Sequence, residues 1–256
     1  MIITSKKVFV SGGTRGIGAA IAVRLHELGN SVVVCGSTQL SVDAFSDVHP
    51  DIDALVCDVT RADDIERCKA LLRSKGGLDI LVNNAGVCRE CDPLQADNAL
   101  DSFSREIAVN LVAPLAVIKN FLPLLEQSRE ATIVNISSIF GFALATQAAG
   151  YSATKSALHF MTRSMRHELR PKGIRVIEII PPPVDTDMSR KYSMPKISKQ
   201  AVVNSTVRAL QGNRDEVFIG QAMVLYWLNR ISRRHTEALM RHLGKQIIKE
   251  SESVHA

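Results

Sequence analysis

The sequence lacks several features that would assign a protein to a broad class at once. Its 256 residues contain no run of about 18 apolar residues, the length that a bilayer-spanning helix needs. The first residues, MIITSKKVFVSGG, lack the apolar stretch and the small-residue cleavage site of a secretory signal. We therefore expect a cytoplasmic protein without integral membrane association.

Metal-ligand spacing is also missing. Five cysteines cannot all pair within one chain, and Cys35 and Cys57 lie in apolar, strand-like runs where cysteine usually packs as a small hydrophobic residue. Cys88 and Cys91 form an isolated C-x-x-C without the second pair of ligands that zinc requires. The seven histidines are scattered, and His159 is predicted to lie on a helix surface. The sequence predicts no metal site.

Charge is unevenly distributed along the chain. The formal net charge is +5, and residues 186–256 hold 12 lysines and arginines against 6 acidic residues. A basic segment of this kind attracts nucleic acid, anionic lipid or an anionic substrate, or simply forms a solvated helix face. We favour the solvated face and expect no nucleic-acid partner.

Short Val/Ile-rich runs alternate with helix-length amphipathic stretches before residue 181. The runs are nearly continuous in apolar residues, which is typical of strands covered on both faces. Repeated strand–helix–strand alternation implies right-handed crossovers. The sequence therefore predicts an α/β fold, a single doubly wound Rossmann-type domain with a parallel sheet and helices on both faces. The predicted strands are 6–12, 30–36, 53–59, 79–86, 131–138 and 173–180, and a short apolar segment, EVFIG, follows at 216–220.

Helical patterns lie between the strands, and we expect Pro114 to kink the longest of them. One domain is predicted to span 1–256, with a substrate loop or lid at 185–200 and a basic C-terminal helix at 221–250. Three consecutive prolines at 181–183 mark the sharpest change in composition. The helical patterns cover 16–28, 63–74, 98–127, 150–170 and 201–211.

A glycine-rich loop, SGGTRGIG, follows the first predicted strand and opens the first predicted helix. Glycine permits positive φ, and its missing side chain lets a pyrophosphate approach the backbone amides at a helix N-terminus. Gly12, Gly16 and Gly18 therefore predict a dinucleotide site.

The choice of dinucleotide is argued from charge. An NAD site normally has an acidic residue at the end of the second strand, to bind the ribose 2′-hydroxyl. Here that strand is followed by Ser37 and Thr38, and Arg15 lies inside the glycine loop, where a guanidinium can hold a 2′-phosphate. NADP(H) is favoured over NAD(H).

Three polar residues form a candidate catalytic set. Ser138 ends the fifth strand, and Tyr151 and Lys155 share one face of the following helix at a spacing of i and i+4. An adjacent ammonium favours the phenolate and is expected to lower the tyrosine pKa toward neutrality, where proton transfer is most useful. Ser138 can bind the same substrate oxygen, and Asn110 can carry a water or hold the lysine.

Together these motifs resemble the signatures of the classical short-chain dehydrogenases/reductases. The glycine loop, NNAG at 83–86, Asn110, the serine at 138 and YSATK at 151–155 occur in that order and at the usual spacings. The resemblance covers about residues 5–186, and the G-x-x-x-G-x-G form is typical of the classical branch. The second strand, the PPPVDTDM segment and the helical tail are most similar to the DltE-like oxidoreductases.

The resemblance implies a role for each matched residue. Tyr151 would be the general acid/base, and Lys155 would bind the nicotinamide ribose. Ser138 would orient the substrate carbonyl, while Asn110 would maintain a proton-relay water. The full predicted set of cofactor-binding residues is Gly12, Thr14, Arg15, Gly16, Ile17, Gly18, Ser37, Thr38, Asp58, Val59, Asn83, Ala85, Gly86, Tyr151, Lys155, Pro181, Val184 and Thr186.

Two departures from the family pattern stand out. Pro182 occupies the position of a usual glycine, and since proline fixes φ and lacks an N–H, the loop on the nicotinamide side must be shaped differently. The glycine-rich end of the last strand is replaced by the basic helix. Helices 98–127 and 150–170 resemble the pair that forms the family's dimer, so we expect a homodimer, and the altered C-terminus leaves a tetramer open.

We therefore expect an oxidoreductase that reduces a carbonyl of a small-molecule substrate to an alcohol, or the reverse, with NADP(H). An apolar substrate wall or lid, as an alternative to ordinary loop packing, is predicted from Phe140, Phe142, Met188, Tyr192 and Met194. Two alternatives remain open. One is a nucleotide-binding sensor or scaffold that kept the fold and lost the chemistry, and the other is binding of anionic surfaces through the basic helix.

Overall fold

The computed structural model describes residues 2–89, 97–145, 148–190 and 194–241. Cys91, Tyr192 and the end of the predicted basic helix lie outside these residues.

A seven-stranded parallel sheet forms the centre of the structure. Its strand order is β3-β2-β1-β4-β5-β6-β7, so the order reverses between the adjacent strands β1 and β4. Each neighbouring pair runs parallel, as the continuous apolar runs predicted. The strands are β1 (Lys7–Ser11), β2 (Ser31–Gly36), β3 (Asp53–Val56), β4 (Ile80–Asn83), β5 (Thr132–Ile136), β6 (Arg175–Ile180) and β7 (Glu216–Phe218).

Helices cover both faces of the sheet, and the buried apolar residues accordingly form two clusters. One face packs on α1, α2 and α7, through residues such as Leu25, Phe45 and Val202. The other packs on α3, α5 and α6, through residues such as Phe121 and Met165. The predicted doubly wound fold is confirmed. The helices are α1 (Gly16–Glu27), α2 (Gln39–Val48), α3 (Ala62–Ser74), α4 (Ala99–Ile107), α5 (Ala113–Leu125), α6 (Ala149–Leu169), α7 (Lys199–Gln211) and α8 (Gln221–Ile231).

Two helical regions differ from the sequence prediction. Helix α2 was not predicted, because only Val42 and Phe45 of its ten residues are buried and its apolar stripe is correspondingly short. The predicted helix 98–127 is divided by a π-helical turn at Ala108–Val112, after which Pro114 occupies the first turn of α5. Proline has no N–H, so Pro114 cannot make the i to i−4 hydrogen bond that an uninterrupted α-helix would have at this position.

The predicted C-terminal helix is interrupted within the described residues. Helix α8 ends at Ile231, and the next residue, Ser232, has extended backbone angles of φ −148° and ψ 93°. Helical conformation then resumes over 233–241.

One run of helix, Ala99–Leu125, is long and apolar enough to cross a membrane by length and composition. Core helices of water-soluble proteins meet the same criterion. Val117, Phe121 and Leu125 from this run are buried against the sheet. The apolar side chains of this run therefore pack in the protein core.

Phe121 gives a direct test of that packing. Its side chain is fully buried, and its ring meets the Phe9 ring edge-on at a centroid distance of 5.1 Å. We expect Phe121→Ala to lower the free energy of unfolding in urea by about 3–5 kcal/mol, because it loses apolar burial and leaves a cavity. Phe160 is 67% exposed and provides the control, since Phe160→Ala should cost less than about 1 kcal/mol. Equal losses would contradict the packing described.

Candidate active site

One cleft of about 600 Å³ opens at the carboxyl edge of the sheet, where the strand order reverses. This is where ligands bind in open α/β sheets. Its walls come from the glycine loop and from the segments that follow β2, β3, β4, β5 and β6. The cleft thus collects residues from most of the chain.

The shape of the glycine loop requires backbone segments to approach closely at two glycines, Gly12 and Gly18. Gly12 has φ +60°, and a Cβ there would lie 2.8 Å from the Cα of Ala85. A Cβ on Gly18 would lie 2.3 Å from the carbonyl oxygen of Gly12. Gly12 and Gly16 line the cleft, whereas Gly18 lies behind it and allows the loop to pack on itself. The structure thus gives Gly18 a packing role, and its direct contact with the cofactor stays a prediction.

The N-terminus of α1 is left without a side-chain cap. Arg15 is its N-cap residue, and its side chain makes no capping hydrogen bond, whereas Thr38 and Ser198 cap α2 and α7. Uncapped amides at a helix N-terminus form an anion site. With Thr14, Gly16 and Ile17 also lining the cleft, this end of α1 fits a pyrophosphate.

The end of the second strand separates two predicted cofactor residues. Ser37 lines the cleft together with Arg15. Thr38 does not line it, because its hydroxyl oxygen accepts a hydrogen bond of 3.3 Å from the Ser41 amide and caps α2. Ser41 itself lines the cleft and was missed from the sequence, since α2 was not predicted.

Asp58 and Val59 line the cleft after β3, as predicted. Burial raises the pKa of Asp58, but hydrogen bonds from Thr60 and an ion pair with Arg105 outweigh it and hold this pKa below its usual value. The Arg105 guanidinium lies 3.0 Å from the Asp58 carboxylate and also lines the cleft. Sequence reasoning missed Arg105, because it lies 47 residues away on α4.

Ser138, Tyr151 and Lys155 all line the same cleft. Ser138 follows β5, and its hydroxyl oxygen accepts a hydrogen bond of 3.2 Å from the Phe140 amide. On α6, the Lys155 ammonium lies 5.6 Å from the centroid of the Tyr151 ring and donates to the Ile136 carbonyl at 3.0 Å. The three side chains therefore face one space.

The pKa values of these groups follow from their surroundings. Burial lowers the pKa of Lys155 from 10.5 to about 8, while the buried Glu178 carboxylate acts in the opposite direction. Burial also raises the pKa of Tyr151, although a hydrogen bond with Ser138 lowers it. In the protein alone the phenol is thus less acidic than a free one, opposite to the direction predicted from the neighbouring ammonium. Desolvation of the phenolate is the largest cause of this rise in the pKa.

Asn110 lies behind the cleft in the π-helical turn and is fully buried. Its side-chain oxygen accepts from the Val87 amide at 2.8 Å, and its nitrogen donates to the Val87 carbonyl and to Thr154. None of these hydrogen bonds goes to Lys155. In this structure Asn110 fastens the loop after β4.

The NNAG segment also needs a correction. Ala85 and Gly86 line the cleft as predicted, but the adjoining asparagine that does so is Asn84. Asn83 is buried in β4 and donates to Asn135 of β5 at 2.9 Å. Alternate residues of a strand face opposite sides, so one step along the chain separates sheet bonding from the cleft.

The three prolines after β6 form part of the cleft wall. The carbonyl of Pro181 accepts from Ile139, and that of Pro183 accepts from Ile197, at 3.0 and 2.9 Å. Val184 pairs with Ile197 in an isolated parallel bridge. Pro181, Val184 and Thr186 line the cleft as predicted, and so does Pro182. Backbone pairing thus fixes this loop without a glycine.

The predicted apolar wall is divided. Phe140, Met188 and Met194 line the cleft. Phe142 instead packs against His159 at a ring-centroid distance of 4.5 Å, away from the cleft. His159 is not on the helix surface as predicted, because Glu178 on β6 binds its Nδ1 at 2.8 Å inside the core.

Comparison with known proteins identifies the family. A short chain dehydrogenase family model matches residues 6–196. The chain belongs to the short-chain dehydrogenase family. Among curated relatives it is 37% identical to the uncharacterized oxidoreductase DltE of Bacillus subtilis, over 75% of this chain and 76% of that protein. It is 31% identical to an uncharacterized oxidoreductase of Staphylococcus aureus (strain MRSA252), over 82% of this chain and 92% of that one.

Solved structures of the short-chain dehydrogenase family superpose closely. A short chain dehydrogenase from Burkholderia cenocepacia in complex with NADP has a TM-score of 0.84 and 31% identity, and covers 94% of this chain and 99% of that one. One from Burkholderia phymatum in complex with NAD has a TM-score of 0.82 at 20% identity, covering 90% and 95%, and supports the fold alone.

The pKa of Lys155 predicts an unusual pH dependence of stability. The unfolded chain holds the lysine proton up to about pH 10.5, whereas the folded protein releases it near pH 8, so this group destabilises the fold below pH 8. This destabilisation is lost as the pH rises from about 8 to about 10.5. We expect the stability of Lys155→Met relative to the parent to be greater at pH 7 than at pH 10, by roughly 2–3 kcal/mol. Urea unfolding at both pH values measures it.

Lys119→Met, at an exposed position on α5, is the matched control and should show no comparable change between the two pH values. A pH-independent effect of Lys155→Met would show that the folded lysine keeps its ordinary pKa.

Proposed function

We propose that the protein is an NADP(H)-dependent oxidoreductase that reduces a carbonyl group of a small molecule to an alcohol. The observation that carries the proposal is the meeting of Ser138, Tyr151 and Lys155 in one cleft with an uncapped helix N-terminus. Membership of the short-chain dehydrogenase family supports it.

The dinucleotide would lie along the carboxyl edge of the sheet. Backbone amides at the start of α1 would hold its pyrophosphate, and the loop after β6 would contact its nicotinamide end. The bound nicotinamide supplies the hydride.

Arg15 is the basis for choosing NADP(H). It is exposed and lines the cleft, as does Ser37, and Gly36 ends the second strand without an acidic side chain. Arg105, which also lines the cleft, is already paired with Asp58. Arg15 is therefore the group proposed to bind a 2′-phosphate. The Burkholderia cenocepacia relative was solved with NADP.

Tyr151 would donate the proton. Burial raises its pKa in the protein alone, so the phenol holds its proton at neutral pH and would donate it once neighbouring cationic charge stabilises the phenolate. Ser138 lies close enough to hydrogen-bond the phenol, so both hydroxyls can point at one substrate oxygen. As negative charge develops on that oxygen, the Tyr151 O–H donates to it and Ser138 stabilises it.

Lys155 would act through its charge and position. Its ammonium is held by the Ile136 carbonyl and faces both the phenol ring and the cleft. A cation there stabilises the phenolate left after proton transfer. Its ammonium can also hydrogen-bond a ribose hydroxyl.

The substrate pocket is proposed to be partly apolar. Phe140, Met188 and Met194 line the same cleft as the catalytic hydroxyls. Such a wall favours an aldehyde or ketone with an apolar substituent.

Tyr151→Phe tests the proposed chemistry. We expect NADPH-dependent reduction of a panel of aldehydes and ketones, followed by absorbance, to fall by roughly 100-fold or more, because the proton donor is lost. NADPH affinity, measured by fluorescence titration, should be unchanged. Tyr226→Phe is the matched control, since Tyr226 lies on α8 outside the cleft lining.

Full turnover in Tyr151→Phe would refute the assignment. A parent protein that binds NADPH but turns over no member of a broad panel would favour the nucleotide sensor instead.

Arg15→Ala tests the cofactor choice. We expect the parent to bind NADPH more tightly than NADH, and the variant to lose roughly 10- to 100-fold in NADPH affinity, because a charge-assisted phosphate contact is removed. NADH affinity should hardly change. Arg24→Ala, on the same helix but paired with Glu27 at the surface, is the control. A parent that prefers NADH would contradict the argument.

A further inference from the structure

Three cysteines from separate elements meet beneath the cleft, and we refer to Cys35, Cys57 and Cys68 as the cysteine cluster. Their Sγ atoms all lie within 4.8 Å of one another. Their exposed fractions are 0%, 3% and 0%. All three are thiols rather than disulfide partners. The arrangement is therefore a compact, buried set of sulfur ligands.

The topology of the sheet creates this arrangement. Cys35 is the penultimate residue of β2. Cys57 directly follows β3, which is the strand paired with β2. The Cys57 amide donates to the Gly36 carbonyl at 2.8 Å, which holds the end of β3 beside β2. Helix α3 then crosses this face of the sheet and adds Cys68. Three rigid elements thus fix the three sulfurs.

The spacing suits a metal ion bound by three thiolates. A metal–sulfur bond of about 2.3 Å puts sulfur atoms about 4 Å apart around a trigonal centre. The observed separations need to contract by less than about 1 Å, which side-chain rotation supplies without moving the backbone. The elements that carry the sulfurs can therefore stay in place.

We propose that the cysteine cluster binds one soft, thiophilic metal ion, Cu(I), in three-coordinate geometry. Soft thiolates select Cu(I) or Zn(II), and a closed zinc site takes four ligands. Asp64 is the neighbouring carboxylate, but it already accepts from the Asp58 amide at 2.8 Å and pairs with Arg67 at 2.7 Å. Three sulfurs and no fourth ligand among the described residues favour the monovalent ion.

Binding of Cu(I) must release thiol protons to the solvent, because the thiolate rather than the thiol is the metal ligand.

Access is through the cleft, because Cys57 lines it at the end that holds Ser37 and Asp58.

The test uses a reference protein, Cys88→Ser/Cys91→Ser, in which the separate C-x-x-C sequence is removed. Cu(I) is titrated anaerobically, with ascorbate as reductant, against a chromophoric Cu(I) chelator. We expect the parent and the reference protein each to bind one ion per chain with the same affinity. In the reference background, Cys35→Ala, Cys57→Ala and Cys68→Ala should each weaken binding by more than roughly 100-fold, since even outer-shell partners account for 10- to 100-fold.

Thermal unfolding supplies a second measurement and a check on folding. Cu(I) should raise the Tm of the reference protein, because the ion binds only the folded state, and should leave a folded single variant unchanged. Three separate variants keep the test open if one of them does not fold. Loss of Cu(I) binding in the reference protein, or its retention in the single variants, would overturn the proposal.

Discussion

Parallel strand pairing is the constraint on which the site depends. Because all seven strands run in one direction, every strand delivers its carboxyl end, and the loop after it, to the same edge of the sheet. The reversal of order between β1 and β4 opens that edge, so the glycine loop, Asp58, Ser138 and the proline loop share one cleft. Residues more than 170 positions apart become neighbours without any local motif that joins them. The helices add Tyr151, Lys155 and Arg105 from above the same edge.

Burial of Lys155 has opposite effects on stability and on function. Taking an ammonium out of water lowers its pKa and destabilises the fold at neutral pH. The same low-polarity surroundings make its field on the phenol stronger than it would be in water. Glu178, buried on β6, offsets part of the loss. A charge kept in an unfavourable place, with a compensating charge behind it, is the pattern expected of a residue retained for chemistry rather than for stability.

Most of the fold could be predicted from sequence, because continuous apolar runs and helical periodicity are local signals. All six predicted strands occur, and the elements that were not predicted have weak local signals, such as α2 and the three-residue strand β7. The cleft residues that follow the strands could also be predicted, because ligands bind at the carboxyl ends of the strands in such sheets. Asn83 and Thr38 were misplaced because one residue of register separates a cleft position from a sheet or capping position. The homodimer and the cytoplasmic location stay predictions.

What the sequence could not supply are pairings between distant elements. Arg105 with Asp58, His159 with Glu178 and Cys35 with Cys57 and Cys68 each join residues that have no common spacing. Each of these residues taken alone supports an ordinary interpretation, as a surface charge, a helix-surface histidine or a small core side chain. Their closeness in the folded structure changes the chemistry, because it decides whether a charge is paired, whether a carboxylate is buried, and whether a sulfur has two others within ligand distance. The tyrosine pKa shows the same limit, since desolvation by neighbours that the spacing does not identify reversed the direction argued from Lys155 alone.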